Sequence, residues 1–323
     1  MTIRRLFIAA LLLGCSSAVS ASFSRLVAIG DSLSDTGNLF SELEDALFGD
    51  PFGLLPTDNY ANGRFSNGPI WLDYFAATHD ELTVESYAIG GAYASTYAGN
   101  DNAIDQDLLS IPFVGQRLAS RADGLAPQLP SVGSGLGDDD GVALWIGGND
   151  LLDFASNGFQ DPLQVVQPAL DSIASAVEQL IGFGVSELLL FNLPDIGATP
   201  GARQSGQSSS LRQATLAFNT GLESLAIDHD SSPLNITMID VFTRFEQILA
   251  EPEAYGFSDT TTGCIDGPFD STPCSDPQAV RVFWDEIHPT TQAHRLIAEL
   301  VDETLSRREL EPELVVPVST LAL

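Results

Sequence analysis

The chain has 323 residues, 44% of them hydrophobic, enough to bury a sizeable core, and its 44 acidic residues against 13 basic ones, all arginine, give a formal net charge of −31. A surface this acidic repels phosphate backbones and anionic headgroups, which argues against nucleic acid as a partner and against membrane adsorption through a basic face. The acidity reads either as a means of solubility or as adaptation to salty surroundings that screen self-repulsion.

In chain order, the first segment reads as an export signal. "MTIRR" is a positive n-region, "LFIAALLL" an apolar run too short to span a bilayer, and "AVSA" a set of small residues suited to cleavage after Ala21. A second reading overlaps it: "LLGC" resembles a bacterial lipoprotein box, which would leave a lipid-anchored Cys15 as the mature N-terminus. Both place the protein outside the cytoplasm, secreted or periplasmic. No later segment has the length and apolarity of a transmembrane helix.

Residues 24–308 read as one domain. Strands are expected at "RLVAIG" (25–30), "LTVESYAI" (82–89), "GVALWIGG" (141–148), "VSELLLFNLP" (185–194) and "NITMIDV" (235–241). The first, third and fourth are apolar enough to be buried on both faces. Helical periodicity falls between them, at 68–79, 162–184, 209–229 and 289–308. Strands alternating with helices imply right-handed crossovers and a three-layer α/β/α fold around a mostly parallel five-stranded sheet. The segments 39–67 and 93–140, rich in Gly, Asp, Pro and Asn, read as loop insertions over one sheet edge; the apolar "LFSELEDALFGDPFGLLP" (39–56) is a candidate lipid-facing lid. Residues 309–323 read as a loose tail. Beyond the leader, Cys264 and Cys274 form an even pair, expected as a short-loop disulfide in an oxidising compartment; two cysteines without nearby histidines make a poor zinc site.

In an open parallel sheet ligands bind beyond the carboxyl ends of the strands, so the polar residues just after each strand carry the functional question. They are "GDSLSDTGN" (30–38), "IGGAYAST" (89–96), "IGGNDLL" (146–152) and "NLPDIGATP" (192–200), with "FWDEIHPT" (283–290) before the last helix. Taken alone, each has a plain explanation as a turn or a helix cap. His288 is one of four histidines, and a lone histidine before proline is more often a loop residue than a catalyst.

Together the blocks "GDSLSDTGN", "YAIGGA" (87–92), "GGND" (147–150) and "DEIHPT" (285–290), in that order, resemble the GDSL, or SGNH, hydrolases. The stretches "NGRFSNGPIWLDYFA" (62–76) and "LFNLPDIGATP" (190–200) are similar to the subgroup of plant GDSL esterases and bacterial secreted lipases. The resemblance implies a flavodoxin-like fold and a serine ester hydrolase needing neither cofactor nor metal. It also implies Ser32 as nucleophile, His288 as its base, Asp285 as the group orienting His288, and an oxyanion hole from Ser32, Gly91 and Asn149. Gly90 and Gly91 are adjacent, so one register step exchanges them. Residue chemistry agrees: a serine hydroxyl is a weak nucleophile until a base takes its proton, and an oriented imidazole can do so. Asp31 and Asp150 read either as loop braces or as turn caps, and His294 as structural. Three substrate classes fit: short-chain carboxylic esters, phospholipid or lysophospholipid acyl chains, and O-acetylated carbohydrate. A non-catalytic surface binding module is the alternative of a different class.

Overall fold

The structure, a computed structural model, describes residues 23–46, 59–95, 125–133, 135–156, 161–230, 232–265, 274 and 280–310. The expected export signal with Cys15, the tail beyond residue 310 and the second half of the expected lid lie outside the described residues.

Five strands form one sheet: β1 (Arg25–Gly30), β2 (Thr83–Ser86), β3 (Asp140–Trp145), β4 (Glu187–Phe191) and β5 (Asn235–Ile239). All pairs are parallel and the order is β2-β1-β3-β4-β5. The helices among the described residues are α1 (Asn38–Ala46), α2 (Trp71–Thr78), α3 (Leu125–Gly133), α4 (Gly148–Ser156), α5 (Leu163–Phe183), α6 (Pro200–Gln204), α7 (Ser208–Asp228), α8 (Val241–Ala250) and α9 (Thr291–Leu310).

Strands β3 and β4 are buried at every position and β1 at all but its first, so the apolar runs there need cover on both faces. That cover comes from α2 packed with α9 and, in a second layer, from α3, α5 and α7 packed in a row. The spacing explains the packing: α7 buries Leu211, Ala214, Thr215, Phe218, Asn219, Leu222 and Leu225, one stripe at helical period. The α/β fold expected from the alternation is the one observed.

The differences have local causes. Strand β2 ends at Ser86, short of the expected 89, yet Tyr87 N–H and Ile89 N–H still donate to the Ala28 and Gly30 carbonyls at 2.8 and 3.1 Å. The pairing continues where regular strand geometry stops. Helices α1 and α3 lie inside segments read as insertions. In α1, Leu39, Phe40 and Leu43 are buried in the core, so the apolar side chains in the described part of the expected lid face inward, while Ser41, Glu44 and Asp45 are exposed. Helix α8 adds to the expected elements: Asp240 accepts from Thr243 N–H at 3.0 Å as its cap, and Val241, Phe245 and Ile248 form its buried stripe.

Strand order reverses between β1 and β3, since the chain leaves β1 for β2 on one side and then crosses back to β3 on the other. A crevice opens beyond the carboxyl ends of strands at such a point. The segments that enter it are 31–38 after β1 and 146–150 after β3.

Candidate active site

Strand β1 runs so close to β3 that a Cβ placed on Gly30 would stand 2.0 Å from the Trp145 carbonyl oxygen, so only glycine fits there. The chain then turns. Asp31 N–H donates to Trp145 O at 3.3 Å and Ser34 N–H to Asp31 O at 3.1 Å, which lifts Ser32 to the mouth of the sheet. The Gln128 side chain of α3 brackets Gly30, accepting from its N–H and donating to its carbonyl, each at 2.8 Å.

Asp285 and His288 stand on a small hairpin. Phe283 bridges Pro289 antiparallel, and Trp284 N–H donates to His288 O at 2.7 Å, so the Asp-x-x-His spacing closes one tight loop. His288 Nε2 lies 2.9 Å from Ser32 Oγ and His288 Nδ1 lies 2.6 Å from Asp285 Oδ2. Asp285 Oδ1 accepts from the Ile287 and His288 N–H groups at 2.8 and 2.7 Å. Burial works to raise the Asp285 pKa, but the charge and hydrogen bond of His288 and these backbone donors outweigh it, and the carboxyl lies below its ordinary value. An ionised Asp285 only accepts, so Nδ1 carries the proton, and whenever the ring is neutral Nε2 is left to accept from the Ser32 hydroxyl.

Gly91 and Asn149 are tied into the same place. Ala92 N–H donates to Ile89 O at 3.1 Å, closing a turn whose third residue, Gly91, has φ +77°, the left-handed region that favours glycine. Gly90 N–H is taken by Asp35 Oδ2 at 2.7 Å. Asn149, at the start of α4, donates from Nδ2 to Ala92 O at 2.8 Å. That bond orients its amide and leaves one Nδ2 hydrogen unspent by Ala92.

Three buried carboxylates lie at these loops, and two of them, Asp35 and Asp150, join one loop to another. Asp35 accepts from four backbone N–H groups, those of Gly37, Asn38, Leu39 and Gly90. Asp150 accepts from Ala94 N–H at 2.8 Å, from Ser95 N–H at 3.2 Å and from the Ser95 hydroxyl at 3.1 Å. Asp31 accepts from Leu33 N–H at 3.0 Å. Asp31 is therefore a turn cap, whereas Asp150 braces a loop 55 residues away. Burial pushes Asp31 and Asp150 up to about 7 and Asp35 to about 6, against the donors that favour the charged form. His294 is fully buried with neither ring nitrogen bonded, and burial lowers its pKa to about 3. It sits in α9 as a neutral core residue, the structural place expected for it.

A family profile described as GDSL-like Lipase/Acylhydrolase matches residues 26–301. The chain belongs to this family. Among relatives, it is 30% identical to a phosphatidylcholine-sterol acyltransferase of Aeromonas hydrophila, over 86% of this chain and 89% of that protein. It is 25% identical to a GDSL esterase/lipase of Arabidopsis thaliana, over 84% of each. Among solved structures, a GDSL-like lipase from Parabacteroides merdae aligns with TM-score 0.50 at 12% identity, over 89% of this chain and 98% of that one. That likeness speaks for the fold. As a GDSL-family protein the chain is an ester hydrolase.

Several residues of this GDSL hydrolase site escape sequence reading. Gln128 brackets the peptide before the serine, Phe218 of α7 packs where a Gly147 Cβ would be 2.5 Å from its ring, and Tyr60 reaches Asp285. Amides, phenylalanines and tyrosines on helices and loops are too common to mark a site. Asp35 was visible in the first block, and its reach to Gly90 was not. Cys264 and Cys274 are joined as a disulfide, and the Cys264 and Ile265 N–H groups donate to Trp284 O at 2.7 and 3.0 Å, beside Asp285.

Proposed function

We propose that this ester hydrolase works through an acyl-enzyme on Ser32, with His288 as proton shuttle and Asp285 as its orienting carboxylate. The observation that carries the reading is the hydrogen-bond chain from Ser32 Oγ to His288 Nε2 at 2.9 Å and from His288 Nδ1 to Asp285 Oδ2 at 2.6 Å. As Ser32 Oγ attacks the ester carbon, its proton passes to Nε2, and the carbonyl electron pair becomes an oxyanion. Collapse expels the alcohol oxygen, which takes the proton from His288. Water then attacks the acyl-serine, giving its proton to Nε2, and collapse of the second oxyanion frees the carboxylic acid and returns the proton to Ser32.

The oxyanion is assigned to the Ser32 and Gly91 N–H groups and the remaining Asn149 Nδ2 hydrogen. Gly91 is favoured over Gly90 because Asp35 already engages the Gly90 N–H. One such donor is worth about 2.7–4 kcal/mol of barrier. No metal or cofactor enters these steps.

For substrate we favour esters of lipid acyl chains, on the strength of the similarity to the Aeromonas phosphatidylcholine-sterol acyltransferase. Export to an oxidising compartment is part of the proposal and agrees with the disulfide. No helix among the described residues is long and apolar enough to cross a membrane. The test is titration with an organophosphonate beside assay of a p-nitrophenyl ester series. Wild type should label once per chain and prefer the longer acyl groups, and Ser32→Ala should neither label nor turn over. An active Ser32→Ala protein would sink the mechanism, and a preference confined to acetyl esters would remove the lipid assignment.

A further inference from the structure

Asp285 Oδ2 carries a second donor besides His288. The Tyr60 hydroxyl donates to it at 2.7 Å, alongside Nδ1 of His288 at 2.6 Å. Tyr60 is only 3% exposed, and burial, then the charge of Asp285, holds its phenol above the ordinary value, so it is a standing donor. With two backbone N–H groups on Oδ1 and these two donors on Oδ2, the carboxylate has a partner for each of its roughly four acceptor positions.

Tyr60 belongs to a segment that grips the same hairpin at several further points. The Asn59 carbonyl accepts from Trp284 Nε1 at 2.9 Å, the Ser66 hydroxyl donates to Pro289 O at 2.9 Å, and Asn67 Oδ1 accepts from Thr291 N–H at 2.8 Å. The Phe65 ring lies 5.1 Å from the His288 ring and that of Tyr60 6.3 Å, edge-on. Residues 59–67 thus clasp the loop bearing Asp285 and His288 from before to after it.

We infer that Tyr60 is a positioning residue for the Asp285–His288 pair: its hydroxyl fixes the plane of the carboxylate and limits how strongly Oδ2 draws on the Nδ1 proton. This rests on the Ser32–His288–Asp285 reading proposed above. Rotating the carboxylate would break the Tyr60 and Nδ1 bonds together, so the phenol resists the motion that would misalign the imidazole. A donor on Oδ2 also withdraws electron density from it. Without that donor Oδ2 attracts the imidazolium more strongly, which favours the protonated ring that cannot accept the Ser32 proton. The other titratable groups felt here are Asp31 on the nucleophile loop and His294 of α9, on both of which the charge of His288 acts, and Glu286, acting on Tyr60. All are retained when Tyr60 alone is changed.

The test is Tyr60→Phe, assayed across pH on a p-nitrophenyl ester, with the low-field imidazole Nδ1 proton followed by NMR. The acid limb of kcat/KM should move to higher pH by about half a unit, and the Nδ1 resonance further downfield. On the plateau kcat should fall about tenfold with KM changed less than about twofold. A loss of activity with limb and resonance both unmoved would overturn the inference, as would a variant equal to wild type throughout. Should circular dichroism show Tyr60→Phe unfolded, fluorotyrosine at position 60 keeps the shape and strengthens the donor. The limb should then move to lower pH, and an unmoved limb overturns the inference. Failure of the underlying reading looks different: wild type that an organophosphonate does not label, or a His288→Ala protein with full activity, removes the triad and the role of Tyr60 with it.

Discussion

Ser32 stands at the end of a central strand, on a backbone that passes within van der Waals contact of β3 and is bracketed by Gln128. Asp285 and His288 stand on a hairpin outside the sheet, held by a disulfide-bearing segment on one side and the 59–67 segment on the other. The first support is many backbone hydrogen bonds and a packed sheet. The second is a short run of backbone bonds to the disulfide-bearing segment together with side-chain bonds from residues 59–67. It follows that substitutions around the nucleophile should lose stability along with activity, whereas those around the hairpin should lose activity first.

The largest separation is expected at Asp285. Asp285→Asn keeps the shape and reverses the tautomer logic at Nδ1, so kcat should drop about 10⁴-fold; stopped assays together with thermal melts would show whether the fold survives the loss. Next comes a matched pair. Replacing Cys264 and Cys274 by serine should cost about 2–4 kcal/mol and misplace the hairpin, with phosphonate labelling slowed. Asp150→Ala, on the nucleophile side, should cost about 1–3 kcal/mol by stranding the Ala94 N–H, with labelling slowed only as far as stability falls. Equal labelling per unit of stability lost in the two proteins would break the contrast.

The smallest effect is a pH dependence confined to one side. Asp150 lies at about 7 in the folded chain, above its ordinary 3.8, so the folded state binds more protons between those values. Its stabilising contribution is fully present below the unfolded value and is lost as pH rises through about 7. The destabilisation caused by Asp150→Ala should therefore shrink between pH 4.5 and pH 8. Asp285 is lowered instead, so its contribution is present above the ordinary carboxyl range and goes only as pH falls below it. Urea melts at the two pH values measure the difference, and a pH-independent cost for Asp150→Ala would contradict it.

The sheet was readable because buried parallel strands are continuous apolar runs, as in "RLVAIG" and "ELLLF". The polar blocks were readable because their residue types recur at strand ends. What stayed hidden was everything that depends on reach: Tyr60 meeting Asp285 across 225 positions, or Gln128 meeting Gly30 across 98. Helix α1 was hidden for another reason. Its buried Leu39, Phe40 and Leu43 follow a run of turn-forming residues that suggested a surface loop.

The Ser32–His288 hydrogen bond spans 256 positions. No fragment lacking either end of that span can bring the hydroxyl and the imidazole together, however well its part of the sheet folds. During synthesis, then, the hydroxyl is made early and its base arrives only once nearly all strands and helices are already available to pack. A protein built this way carries its own delay: it cannot act on an ester until all five strands have been produced.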